Sequence, residues 1–124
     1  ILALFFLPYK IEKAYATTNN WIEVNQTKEG RQFWDRDSLT EKGKGIIEIK
    51  TKYIRLESNT SRAIEENIYL MRIDCLNSKY KDVSVNGEIN LRPKWEISNK
   101  DTLIKEIISD SCKNALNSLE NKDV

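Results

Sequence analysis

Two rhythms of hydrophobic and polar residues divide this chain. Between Trp21 and Ile97 apolar positions alternate with polar ones, as in strands with one buried face. From Leu103 onward they recur every three or four residues, as on one side of a helix. Trp21 to Val24 reads as a first strand, Asn25 to Gly30 as a turn and Arg31 to Asp35 as a second strand; Asp37 to Gly45 reads as a loop. Gly45 to Leu56 is the longest strand signal, with Ile47, Ile49, Thr51 and Tyr53 on one face and Glu48, Lys50 and Lys52 on the other. Its apolar phase then jumps to Ile54 and Leu56, which predicts a bulge there.

After a polar loop from Glu57 to Ala63, Ile64 to Cys75 reads as a strand with Tyr69, Met71, Ile73 and Cys75 on one face. Val83 and Val85 precede Asn86-Gly87, and Ile89 and Leu91 follow it, the pattern of a tight hairpin that Pro93 ends. Trp95 to Ile97 reads as a last short strand. Ser98 or Asn99 is the expected helix cap, with Asp101 in the first turn. The helical stripe is Leu103, Ile104, Ile107, Ile108, Cys112, Ala115, Leu116 and Leu119. The expected fold is α+β: an antiparallel sheet of about five to six strands packed on a C-terminal helix, in one domain over residues 17–124.

The start of the chain has a different pattern. Ile1 to Leu7 is unbroken apolar sequence, Pro8 closes it, and Ala14-Tyr15-Ala16 is a small-x-small site. This is the layout of a secretory signal peptide cleaved after Ala16, leaving Thr17 as the first mature residue. With neither an initial Met nor a basic n-region, residues 1–16 read as a partial leader. The apolar run is far shorter than the roughly 20 residues that cross a bilayer. The expected location is therefore periplasmic, secreted or cell-surface, with no membrane span in the mature chain.

Charge narrows the class of partner. The chain carries 20 basic and 19 acidic residues, and removing Lys10, Glu12 and Lys13 with the leader brings the balance to zero. Such a chain lacks the cationic excess that nucleic-acid binding requires. Export also gives meaning to the two cysteines. Cys75 lies on the buried face of its strand and Cys112 on the helical stripe, so packing those faces together would bring them into disulfide range. Two buried free thiols are the alternative.

Candidate chemistry is sparse. With no His in the chain, a His-based triad is excluded, and the four Gly residues form no phosphate-cradling loop. No catalytic residue, metal ligand or cofactor is expected. Asp35 and Asp37 could together face a hard cation, or simply end a strand in salt bridges. Asp74 reads as a surface charge beside Cys75. Trp21, Trp34 and Trp95 could form an aromatic platform or fill the core. Phe33 and Trp34 are adjacent in a strand and must point to opposite faces, and Trp34 is the expected exposed contact.

An ordered set of features resembles the surface-adhesin protein E-like family of small exported bacterial domains. The set comprises Trp21 in a W-x-x-V opening, Phe33-Trp-Asp-Arg-Asp-Ser-Leu39, the long strand from Gly45 to Tyr53, Tyr69 to Cys75 ending in Asp-Cys, then Trp95 and a helix bearing Cys112. The resemblance implies a sheet joined to a C-terminal helix by a disulfide, and a surface protein that binds host extracellular proteins. The resulting expectation is a non-catalytic binding module with a protein or glycan partner, able to contact it through sheet edges or to form a homodimer. An enzyme or enzyme accessory working through carboxylates is the first alternative. An inhibitor or chaperone-like partner of another exported protein is the second.

Overall fold

The computed structural model describes residues 19–122, with side chains to residue 117. The leader, with Ala14, Ala16 and Thr17 at its expected cleavage site, lies outside the described residues. Eight strands form a single sheet. They are β1 (Trp21–Glu23), β2 (Gly30–Asp35), β3 (Thr40–Gly43), β4 (Ile46–Leu56), β5 (Ala63–Asp74), β6 (Lys79–Val85), β7 (Glu88–Ile89) and β8 (Glu96–Ile97). A 3-10 turn at Arg36–Ser38 links β2 to β3, and helix α1 (Thr102–Lys122) ends the described residues.

The sheet runs in the order β1-β2-β4-β5-β6-β7, and all pairings are antiparallel. β3 shares one edge of β4 with β2: Trp34 pairs with Thr51 in one half, and Thr40 pairs with Glu48 in the other. β7 and β8 likewise pair with opposite ends of β6. Helix α1 covers one face. Its Leu103, Ile104, Ile107, Ile108, Cys112 and Ala115 form one cluster with Ile47 and Ile49 of β4, Met71 and Ile73 of β5, and Trp34 of β2. This is the stripe-on-face packing that the two periodicities predict, although Leu116 is exposed.

The short strands β7 and β8 fall where the hairpin and the Trp95–Ile97 strand are expected, and the strand that the sequence pattern does not predict is β3. β3 falls in the expected Asp37–Gly45 loop. All four of its residues are exposed, so it has no buried face to leave a period-2 trace. Its turn back into β4 holds Gly43, Lys44 and Gly45 at φ of 89°, 57° and 77°, which favours glycine at two of the three positions. Asn86 and Gly87 take φ of 51° and 85° in the β6–β7 hairpin, as the sequence pattern requires.

The bulge expected in β4 instead lies in its partner strand β5. Register is continuous to Arg55 and shifts only between Arg55 and Leu56, where Ile64 of β5 is the extra residue. The helix begins later than expected. Asp101 is its cap, its Oδ1 accepting from Ile104 N at 3.1 Å, while Ser98 is buried and donates to the Ser78 carbonyl.

Candidate functional site

The disulfide expected from the two periodicities is present. Cys75 and Cys112 are bonded, with their Cα atoms 5.8 Å apart. Cys75 stands at the end of β5 and Cys112 on the buried side of α1, so the bridge ties sheet to helix. Two further contacts hold the layers together. Trp34 Nε1 donates to Asp110 Oδ2 at 2.8 Å, and Glu106 accepts from the backbone N–H of Asn25 at 2.9 Å.

Trp34 is therefore not an exposed contact. It is fully buried, at 0% exposure, because it points with Gln32 toward the helix. Its indole N–H finds the acceptor that a buried tryptophan needs on the polar flank of the helical stripe. Phe33 takes the opposite face, yet is only 9% exposed. The Lys52 ammonium lies 4.7 Å from the ring centroids of both Phe33 and Trp21, and the Arg31 guanidinium 5.1 Å from Phe33. Arg31 is itself held by Glu23 at 2.6 Å, and this hydrogen bond draws the Glu23 carboxyl below its usual range. Trp95 packs elsewhere, 4.4 Å from Lys81, so the three tryptophans form no common platform.

Asp35 and Asp37 divide between structure and solvent. Asp35 is buried and its Oδ1 accepts from the backbone N–H groups of Asn20 and Asp37, both at 3.0 Å. It is the cap of the 3-10 turn, while Asp37 is exposed. Asp74 also caps a turn, accepting from Leu76 N, Asn77 N and Asn77 Nδ2, and the Asn77 bonds lead in lowering its pKa. Among the described residues, no group of three or more His, Cys, Asp or Glu side chains could hold a metal.

The best-formed concavity lies on the helix side of the sheet, beyond the first turn of α1. It is an open cleft of about 640 Å³. Gln32 of β2, Tyr53 of β4, Tyr69 and Met71 of β5, and Tyr80 and Asp82 of β6 supply its sheet side. The turn residues 27–29 and the helix start at 100–104 complete it. That size is typical of small-ligand sites. Tyr53, Tyr69 and Tyr80 are half-buried, and all three line the cleft. Gly30 makes room for Tyr53: a Cβ at residue 30 would lie 2.5 Å from the Tyr53 ring atom Cε1.

The electrostatics of the cleft are acidic. Burial, reinforced by the negative charge of Glu96, pushes the Asp82 carboxyl up to about 6. Its Oδ1 is shielded from solvent and has no hydrogen-bond partner among the described residues. Burial, with Glu96, Asp82 and Asp101 adding negative charge, pushes the Tyr80 phenol up to about 12. Tyr69 is raised by burial, then by Asp82 and Glu65; Tyr53 by burial, then by Asp101 and Glu29.

Sequence reasoning placed Tyr53 and Tyr69 on the core face but took that face to be closed. It missed Asp82 because Val83 and Val85 looked like the buried positions of that strand. A register shift between Leu70 and Met71 sets Ser84 opposite Leu70 but Asp82 opposite Met71. The shift turns Asp82 to the helix side, and a regular alternation could not reveal it.

Sheet, helix, bridge and cleft define a small disulfide-stabilised α+β domain with a concavity of ligand-binding size. The model of the surface adhesin-E family matches residues 22–118, nearly all of that domain, and the chain belongs to this family. No curated protein and no solved structure matches it significantly. Family membership supports an exported, adhesin-like surface protein. Among the described residues, no helix is long and apolar enough to cross a membrane.

Proposed function

We propose that this protein is a non-catalytic binding module of the bacterial envelope, with the tyrosine-lined cleft as its recognition surface. The carrying observation is three half-buried tyrosines from adjacent strands around an open concavity of about 640 Å³. Tyrosine supplies rigid amphipathic contact area at low entropic cost, which suits recognition. Family membership supports the same reading. Exposed Ile89 and Ile97, which pair with Ser84 and Lys79, lie on the opposite face of the sheet and are separate from the cleft.

The test is adhesion of cells displaying the full chain to surfaces coated with extracellular matrix proteins. Tyr69→Ala should reduce retention at least about tenfold if the ring contributes the energy of a typical contact hot spot. Lys50→Ala, on the opposite face, should leave retention unchanged. If no coated protein retains cells above background, the adhesive reading fails.

A second reading, an envelope enzyme or enzyme accessory, is favoured by one observation. Asp82 is pushed up to about 6, in the range of a general acid. Chemical turnover of a captured ligand, lost in Asp82→Asn, would select that reading; recovery of the ligand unchanged would select binding.

A further inference from the structure

We propose that the cleft is a receptor for an aliphatic ammonium group, carried either by a lysine side chain of a partner protein or by a free diamine. The proposal deepens the binding reading by naming the chemistry that the cleft selects.

Asp82 of β6 lines the cleft. One of its oxygens is shielded from water and lacks a hydrogen-bond partner among the described residues. Poor solvation makes the ionised carboxylate costly, and a cation held nearby in the cleft would offset that cost through its charge. Tyr53, Tyr69 and Tyr80 line the same cleft, and aromatic π faces attract cations. A carboxylate and three tyrosines lining one open cleft suit an ammonium better than a neutral or anionic ligand.

The surrounding charges point the same way. Glu96 faces Tyr80 across the β6–β8 pair, and Glu29 and Asp101 add negative charge from the turn and the helix start. The N-terminus of a helix ordinarily attracts anions. Here Asp101 already occupies it, accepting from Ile104 N. Two lysines, Lys28 and Lys100, line the cleft, but both are exposed and free to extend into solvent.

Calorimetric titration of the full chain at pH 8 provides the test. The probes are 1,5-diaminopentane, Nα-acetyl-lysine methylamide and a lysine-containing peptide; glucose and acetate are the comparison ligands. All three ammonium probes should bind, and glucose and acetate should not. Asp82→Asn should weaken ammonium binding at least tenfold while its melting temperature stays at or above that of the wild type, which separates lost binding from lost folding. Tyr69→Phe keeps the ring and should retain binding; Tyr69→Leu should lose it. Affinity should fall as the pH drops through about 6, where Asp82 takes up its proton.

Tighter binding of the peptide than of the diamine identifies a partner protein as the source; the reverse identifies a free diamine. Binding of glucose or acetate as tight as that of the ammonium probes would overturn the proposal, as would unchanged ammonium affinity in Asp82→Asn. Adhesion without ammonium binding would sink this proposal and leave the binding module standing. Ammonium binding without adhesion would uphold this proposal and sink only the adhesive reading.

Discussion

The two ends of the helix–sheet interface differ sharply. At the closed end, Trp34, Ile49, Ile73 and Ile107 are at 0% exposure, and the Cys75–Cys112 bridge and the Trp34–Asp110 hydrogen bond lock the layers. At the open end, beyond the first turn of α1, three tyrosines are half-exposed and Asp82 has an oxygen without a partner among the described residues. The same strands β2, β4, β5 and β6 run through both ends or border them. One end concentrates stabilising contacts, and the other retains a charged group whose burial works against folding. A domain this small has about 5–10 kcal/mol of total stability. It can carry an unfavourable cleft only if the remainder is tightly closed.

That contrast can be broken at either end. The largest effect should come from Trp34→Ala, which empties a fully buried site and strands Asp110 without its donor. A loss of about 3–5 kcal/mol is expected, read by urea unfolding. Replacing Cys75 and Cys112 together with Ser should cost about 3–4 kcal/mol in the chain-entropy picture, for a sequence separation of 37. Reduced wild type should then unfold with the variant. An unchanged midpoint in oxidising buffer would show that the bridge does not hold the closed end.

The smallest effect has the opposite sign. The Asp82 pKa is raised from 3.8 to about 6 on folding, so between those values the folded state holds a proton that the unfolded state has released. Stability therefore falls as pH rises through that window and stays lower above it. Asp82→Asn removes this penalty. It should be neutral near pH 3.5 and stabilising by about 1 kcal/mol at pH 8, after discounting for solvent reaching the cleft. Thermal melts at the two pH values check both the sign and the window.

The closed end was largely legible in the sequence. Ile47, Ile49, Met71 and Ile73 alternate cleanly, the helical stripe is long, and Cys75 and Cys112 fall on the faces that meet. Trp34 was misplaced for a definite reason. Arg31-Gln-Phe-Trp-Asp35 has an apolar residue of each parity beside a polar one, so alternation alone cannot choose the inward face. Asp110, which decides it, lies far along the chain. The open end was less legible still. The cleft depends on where the helix starts, which Asp101 sets, and on a register shift that turns Asp82 inward. Both are tertiary facts that no local window contains.

Gly30 gives the cleft a property that its side chains do not. The Tyr53 ring lies where a methyl group on residue 30 would have to stand. The position of that ring is thus governed by an atom that is missing from the backbone beside it. A single nucleotide change can turn a glycine codon into an alanine codon, and that one carbon would force the ring aside and reshape the mouth of the cleft. The shape of this cleft is consequently open to retuning from a residue that does not itself line it.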